Sequence, residues 1–268
     1  MNYLQFNDRG KFEPEEQALA NYFGESNYIG FYKKHFLRDK FQITKNDFIS
    51  GDIDVMFHAM KRLGIEYSYT DYPECLKPYL YRKVWEEELG NVKRELFEEG
   101  YLKNPIFIKP KDKLKRFTGF VLETIDDLSN CKNAGNQTKI WCNEPVTFVD
   151  EYRCYFLWDT SEVGIIDDFR GKYKVQIGNH KGLVPTHTIL ETVRKVGYYL
   201  TNPTNSFLGE KADFPNAFAL DFGTLPNGHV ALIEMNDAFS LGLYKGCSDD
   251  FYAECLIARW KELKGDLK

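Results

Sequence analysis

Asp221, Glu234 and Asn236 stand out first in this sequence, because their types and spacing suit chemistry. They lie on two alternating apolar runs, 217–223 and 230–236, joined through Pro226-Asn227-Gly228-His229. An Asn-Gly pair between such runs is a strong hairpin signal. Side chains two apart on a strand share a face, so Glu234 and Asn236 point the same way. Pairing about the turn brings Asp221 opposite Glu234 to within a residue or so. Two carboxylates and an amide oxygen on one face suit Mg²⁺, which takes a few protein oxygens and keeps phosphate oxygens and water. The same residues also suit the solvated face of an ordinary hairpin, with Leu220, Phe222, Ile233 and Met235 buried beneath. The periodicity leaves both readings open.

A second group is basic. Residues 103–116 carry Lys103, Lys109, Lys111, Lys113, Lys115 and Arg116 against one acid, Asp112. A basic loop closed by Thr118 and Gly119 could cover a polyphosphate, and a charge run is equally at home as a solvated surface. Lys109 differs from the rest, because Ile106, Phe107 and Ile108 bury the strand that positions it. One glycine is too few for a Walker A loop, and no G-x-G-x-x-G is present. Glu144 and Glu151, seven residues apart, bracket a short apolar connection. Such a connection can offer backbone groups to a base and a carboxylate to ribose hydroxyls; two surface glutamates would look the same. The five histidines share no spacing, and no Cys-His or Ser-His arrangement supports a covalent nucleophile. His180 and His187 could touch a substrate from the 179–188 loop, with a surface role favoured.

In order along the chain, these groups resemble the ATP-grasp superfamily: a strand-end lysine, a Gly/Thr loop, two glutamates, then Asp, Glu thirteen residues on and Asn two further. More narrowly, Phe107-Ile108-Lys109-Pro110, Lys115-Arg116-Phe117-Thr118-Gly119, Asp150-Glu151-Tyr152-Arg153 and Ala219-Leu220-Asp221-Phe222-Gly223 resemble the clade named for two arginines and one lysine, found in bacteria and phages. The resemblance spans roughly residues 50 to 263. It implies that Lys109 contacts ATP phosphates, with Lys115, Thr118 and Gly119 in the covering loop and Arg82 as an earlier phosphate contact. It implies that Glu144 and Val146 border adenine, that Glu151 holds ribose, and that Asp221, Glu234 and Asn236 hold Mg²⁺. Arg153 and Arg170 would face the γ-phosphate or an acyl phosphate. Many relatives place an arginine two residues before the metal aspartate, where this chain has Ala219. The implied activity is an MgATP-dependent ligase joining a carboxylate to an amine through an acyl phosphate, with peptides or proteins among the candidate substrates. A phosphotransferase using the same site and a non-catalytic nucleotide-binding module are the alternatives.

The elements that must carry these residues read as α+β. Residues 52–64 have helical spacing closed by Gly64, and 65–69 alternate like a strand. A helix is predicted over 78–99 with Gly100 as its cap, and strands over 105–110, 119–125, 146–157 and 163–169. Residues 189–200 and 249–263 are helical, the latter capped by Ser248 or Asp249. The resemblance implies an ATP-grasp fold, two α+β lobes gripping the nucleotide over 76–268, preceded by a small α/β region over 1–75.

Composition bounds the remaining classes. The 268 residues are 43% hydrophobic and 28% charged, the balance of a folded globular chain, and a formal charge of -5 argues against a general nucleic-acid binder. The opening residues show no signal-peptide pattern and no run is long enough to span a membrane, so a cytoplasmic location is expected. Six scattered cysteines read as reduced thiols.

Overall fold

The computed structural model describes residues 1–68, 70–111, 116–158, 173–201 and 214–266. Lys115, Arg170 and the strand expected over 163–169 lie outside the described residues. The chain divides into two compact units, one formed by Met1–Lys77 with Val149–Lys268 and the other by Pro78–Phe148.

The first unit begins with strands β1 (Asn2–Phe6), β2 (Ile29–Tyr32) and β3 (Phe48–Ser50), paired in parallel in the order β2-β1-β3. Parallel pairing needs crossovers, and helices α1 (Pro14–Phe23) and α2 (Lys33–Phe36) lie on the connections, with α3 (Ile53–Leu63) after β3. Proline at the start of α1 costs no hydrogen bond there. In α3 the buried residues Val55, Met56, Ala59 and Met60 recur at helical spacing. Gly64 ends it at φ 66°, a left-handed turn that a side chain would strain.

The second unit holds β4 (Val84–Glu88), α4 (Leu89–Glu99), β5 (Tyr101–Pro110), β6 (Phe120–Thr124) and β7 (Lys139–Asn143). Its antiparallel sheet has the order β4-β7-β5-β6. Leu89, Val92 and Leu96 of α4 pack with Ile108, Leu122, Ile140 and Cys142 from one sheet face.

The first unit resumes with β8 (Asp150–Trp158), β9 (Tyr173–Gly178), α5 (His187–Thr201), β10 (Ala217–Thr224), β11 (Val230–Asp237) and α6 (Asp249–Leu263). Its four-stranded antiparallel sheet runs β11-β10-β8-β9. This sheet and α6 share one core with the N-terminal strands and helices, including Leu4, Leu19, Ile49, Tyr155, Ala217, Phe251 and Trp260. The Trp260 indole also donates to Asp47 O at 2.8 Å. The Ser248 hydroxyl caps α6 by accepting from Phe251 N. All six cysteines are free thiols. Among the described residues no helix is long and apolar enough to cross a membrane.

Two expected elements differ. The helix over 78–99 is α-helical only from Leu89, after a short 3-10 helix that ends at Tyr79. Residues 84–88 are a strand because β7, more than fifty residues later, supplies backbone partners for Val84 through Glu88. Residues 65–68 form no strand. The tyrosine that produces the alternation, Tyr67, packs edge-on against Phe57 and Phe239 instead.

Candidate functional site

Five expected site residues share one face of the first unit's antiparallel sheet. Asp221 on β10 lies directly opposite Arg153 on β8 and Glu234 on β11. Glu151 lies two residues before Arg153, opposite Gly223, and Asn236 two after Glu234, opposite Ala219. A bulge creates this grouping. From the turn, Thr224 pairs with Val230 and Phe222 with Leu232, and the register then shifts so that Asp221 meets Glu234. Without the extra residue, Ile233 would face Asp221 and Glu234 would turn to the opposite side of the sheet.

Arg153 grips Asp221 as a fork. Its Nε donates to Oδ1 at 2.8 Å and its Nη2 to Oδ2 at 2.7 Å, with both side chains about nine-tenths buried. Nη1 donates to Gly242 O at 3.3 Å, and the Tyr244 ring lies 4.3 Å from the guanidinium carbon. Burial alone would disfavour the arginine's charge, but the Asp221 carboxylate more than offsets it and the pKa is raised. His180 packs against Tyr244 in turn, with ring centroids 3.6 Å apart and the planes tilted by 36°. Asn236 donates from Nδ2 to Asp221 Oδ2 at 2.9 Å, which leaves Oδ1 as its acceptor group. The Glu151 carboxyl sits above its ordinary pKa, first because it is partly desolvated and then because Asp221 and Glu234 repel its charge, against attraction from His180 and Arg153.

This donor set fits Mg²⁺. Among the described residues no three His, Cys, Asp or Glu side chains converge as a metal site would need. A cation here would therefore rest on Asp221, Glu234, the Asn236 oxygen, and phosphate or water oxygens. That sparse, all-oxygen shell is the kind Mg²⁺ accepts. A carboxylate has room for about four contacts, so the arginine fork does not exclude a cation at Asp221.

The second unit holds the expected phosphate and base contacts. Lys109 on β5 pairs with Trp141 of β7, and Phe107 with Asn143, on the sheet face opposite Ile108 and the α4 core. Gly119 passes over this face: a Cβ there would come within 2.5 Å of the Phe107 ring and 3.3 Å of Lys109 Cβ. Only glycine allows that approach, and Thr118 beside it is exposed. Arg82 donates from Nε to Asn143 Oδ1 at 3.3 Å and from Nη1 to Leu80 O at 3.2 Å, with its guanidinium 5.9 Å from the Phe148 ring. Glu144 closes the β4–β7 pair, its carboxylate accepting from Lys83 N at 2.8 Å while its own N–H donates to Lys83 O. Val146 is exposed. The connection from Glu144 to Glu151 crosses between the two units at Phe148 and Val149.

Two residues at these faces have no signal in the sequence. Asn143 lies beside Glu144 but reads as an ordinary strand end. Tyr244 follows the hairpin at no diagnostic spacing.

Comparisons with known proteins bear on the family and the fold. Residues 79–255 match an ATP-grasp domain family, the second family of the clade named for two arginines and one lysine. No curated protein matches the chain. Among solved structures, D-alanine–D-alanine ligase from Bacillus anthracis is similar at 11% identity and a TM-score of 0.51, covering 99% of this chain and 98% of that one. N5-carboxyaminoimidazole synthetase from Staphylococcus aureus is similar at 10% identity and a TM-score of 0.51, covering 96% of this chain and 77% of that one. At these identities the structural likeness speaks to fold alone. The family match covers more than half of the chain, so the protein belongs to the ATP-grasp superfamily, in the second family of the two-arginine, one-lysine clade.

Proposed function

We propose that this protein is an MgATP-dependent ligase that activates a carboxylate as an acyl phosphate and joins it to an amine. The observation that carries the reading is the gathering of Glu151, Arg153, Asp221, Glu234 and Asn236 on one sheet face. Family membership supports ATP as the nucleotide, and the two fold neighbours bear the names ligase and synthetase.

In this reading Lys109 and Arg82 bind phosphate oxygens, each as a cation that offsets charge on the transferred group. Gly119 lets the covering segment lie close over Lys109, and Thr118 offers it a hydroxyl. The Glu144–Val146 segment borders adenine, and Glu151 accepts from ribose hydroxyls. Glu234, Asn236 and Asp221 hold Mg²⁺, which when bound supplies positive charge to the phosphate oxygens and orients them. Arg153 keeps Asp221 fixed, and its remaining N–H groups can reach an anionic oxygen. Lys115 and Arg170 are assigned to the phosphates on the resemblance alone.

Glu234→Ala is expected to abolish Mg²⁺-dependent ADP release while the melting transition persists. Normal ADP release by that variant would sink the metal assignment. With a mixture of amino acids and peptides as acceptors, the product should be an amide with ADP and phosphate. A stable phosphorylated acceptor and no amide would make the enzyme a phosphotransferase instead.

A further inference from the structure

We infer that Asn143 is a positioning residue for the nucleotide: its buried amide aims Arg82, and the chain keeps it at a cost to stability. The inference rests on the proposed ATP reading and adds a residue to it.

Asn143 ends β7, the strand paired with both β4 and β5, so its side chain stands between Val84 and Phe107 on the Lys109 face. It is 2% exposed. Arg82 has only donors, so the amide must present its oxygen to Arg82 Nε, at 3.3 Å. That orientation turns Nδ2 away, to a place where no described residue accepts from it. A buried N–H without a partner is unfavourable, and a leucine of similar size would remove the penalty. Packing therefore does not explain the asparagine; the bond to Arg82 does.

The approach to Arg82 bears a second cost. Tyr81, directly before it, has φ 50°, in the left-handed region that bulky side chains avoid, and the residue is 55% exposed. The turn directs the chain so that Arg82 reaches back to Leu80 O and across to Asn143. Strain on one side and an unsatisfied amide on the other converge on a single guanidinium. A further neighbour, the Phe148 ring, belongs to the connection assigned to adenine.

The experiment is calorimetric titration of MgATP into the wild-type protein and into Asn143→Leu, Asn143→Asp, Arg82→Ala and the Asn143→Leu/Arg82→Ala double variant, with melting temperatures for each. Asn143→Leu should melt at or above the wild-type temperature yet bind ATP roughly ten- to a hundredfold more weakly, the loss of one charged hydrogen bond. Asn143→Asp, which keeps an oxygen for Arg82, should bind like wild type. In the Arg82→Ala background Asn143→Leu should have no further effect, because an interaction already removed cannot be lost again. Unchanged affinity in Asn143→Leu, or an equal loss in both backgrounds, overturns the inference and leaves the ATP reading standing. No binding by the wild-type protein overturns both. Should the leucine variant not fold, Asn143→Ala carries the same comparison.

Discussion

The first unit contains two arginine–aspartate forks that are nearly identical as pairs and differ in what surrounds them. Arg153 meets Asp221 at 2.8 and 2.7 Å; Arg259 meets Asp237 at 2.8 and 2.8 Å. Around Asp237 the protein completes the network. Phe239 N donates to the same carboxylate, Arg259 also binds Glu262, and Glu262 in turn accepts from Asn216 N. Around Asp221 it crowds like charges, with Glu151 and Glu234 close enough that Asp221 and Glu234 both raise the Glu151 pKa. A closed network is a structural joint. A crowded one is left with carboxylates that repel one another, the surroundings that the proposed Mg²⁺ would relieve, and the arginine fork keeps its central carboxylate in place.

Deleting each arginine is the strongest way to break this comparison. Arg259→Ala leaves the Asp237 side chain, 1% exposed, as an unpaired buried charge, and should cost about 3–5 kcal/mol in urea unfolding. Arg153→Ala leaves Asp221 with Asn236 and ten times that exposure, so the loss should be smaller, about 1–3 kcal/mol, with ADP release lost as well. Equal destabilisation by the two variants, or full ADP release by Arg153→Ala, would erase the distinction.

A third buried carboxylate sharpens it, because a hydroxyl stands where the other two have a guanidinium. Glu16 is 9% exposed, and its carboxyl accepts from the Ser50 hydroxyl at 3.3 Å. Burial first, then repulsion from Glu15, pushes its pKa up to about 7. The folded protein thus holds this proton more tightly than the unfolded chain does. The associated stability is complete below the ordinary value of 4.5 and is lost as pH rises through about 7. Glu16→Gln should remove that slope, adding on the order of 3 kcal/mol at pH 8 and nothing at pH 4, read from urea midpoints at both. The same gain at both pH values would mean that proton binding is not the cause.

How much of this is legible in the sequence depends on the range of the interactions. The hairpin is visible because Asn227-Gly228 and the alternation on either side are local, and so is the cap at Ser248. The bulge is not: alternation places Asp221 and Glu234 near one another, but only the register shift sets them on one face. Strand β4 reads as helix because Leu80, Val84 and Leu89 mimic helical spacing and its true partner, β7, is remote in sequence. The ATP-grasp pattern is recognisable from residue order. The fork between Arg153 and Asp221 is not, because the resemblance turns the arginine toward phosphate, and nothing local records that the two strands are neighbours.

The smallest test concerns the last side of each guanidinium. Arg259 is closed by Glu262, a second negative charge at 2.8 Å, whereas Arg153 is closed by the face of Tyr244 at 4.3 Å. An aromatic face attracts a cation without adding a full charge, so it steadies Arg153 and leaves the surrounding carboxylates no more crowded than before. Tyr244 is itself held from behind, its backbone N–H donating to the Tyr155 hydroxyl at 2.9 Å while that hydroxyl donates to Gly242 O at 2.7 Å. Tyr244→Phe keeps the ring and should match wild type in stability and in KM for ATP. Tyr244→Leu should lose about 1 kcal/mol of stability, with the loss vanishing in an Arg153→Ala background. If leucine costs as much without the arginine as with it, the ring serves packing alone and the two forks differ only in their carboxylates.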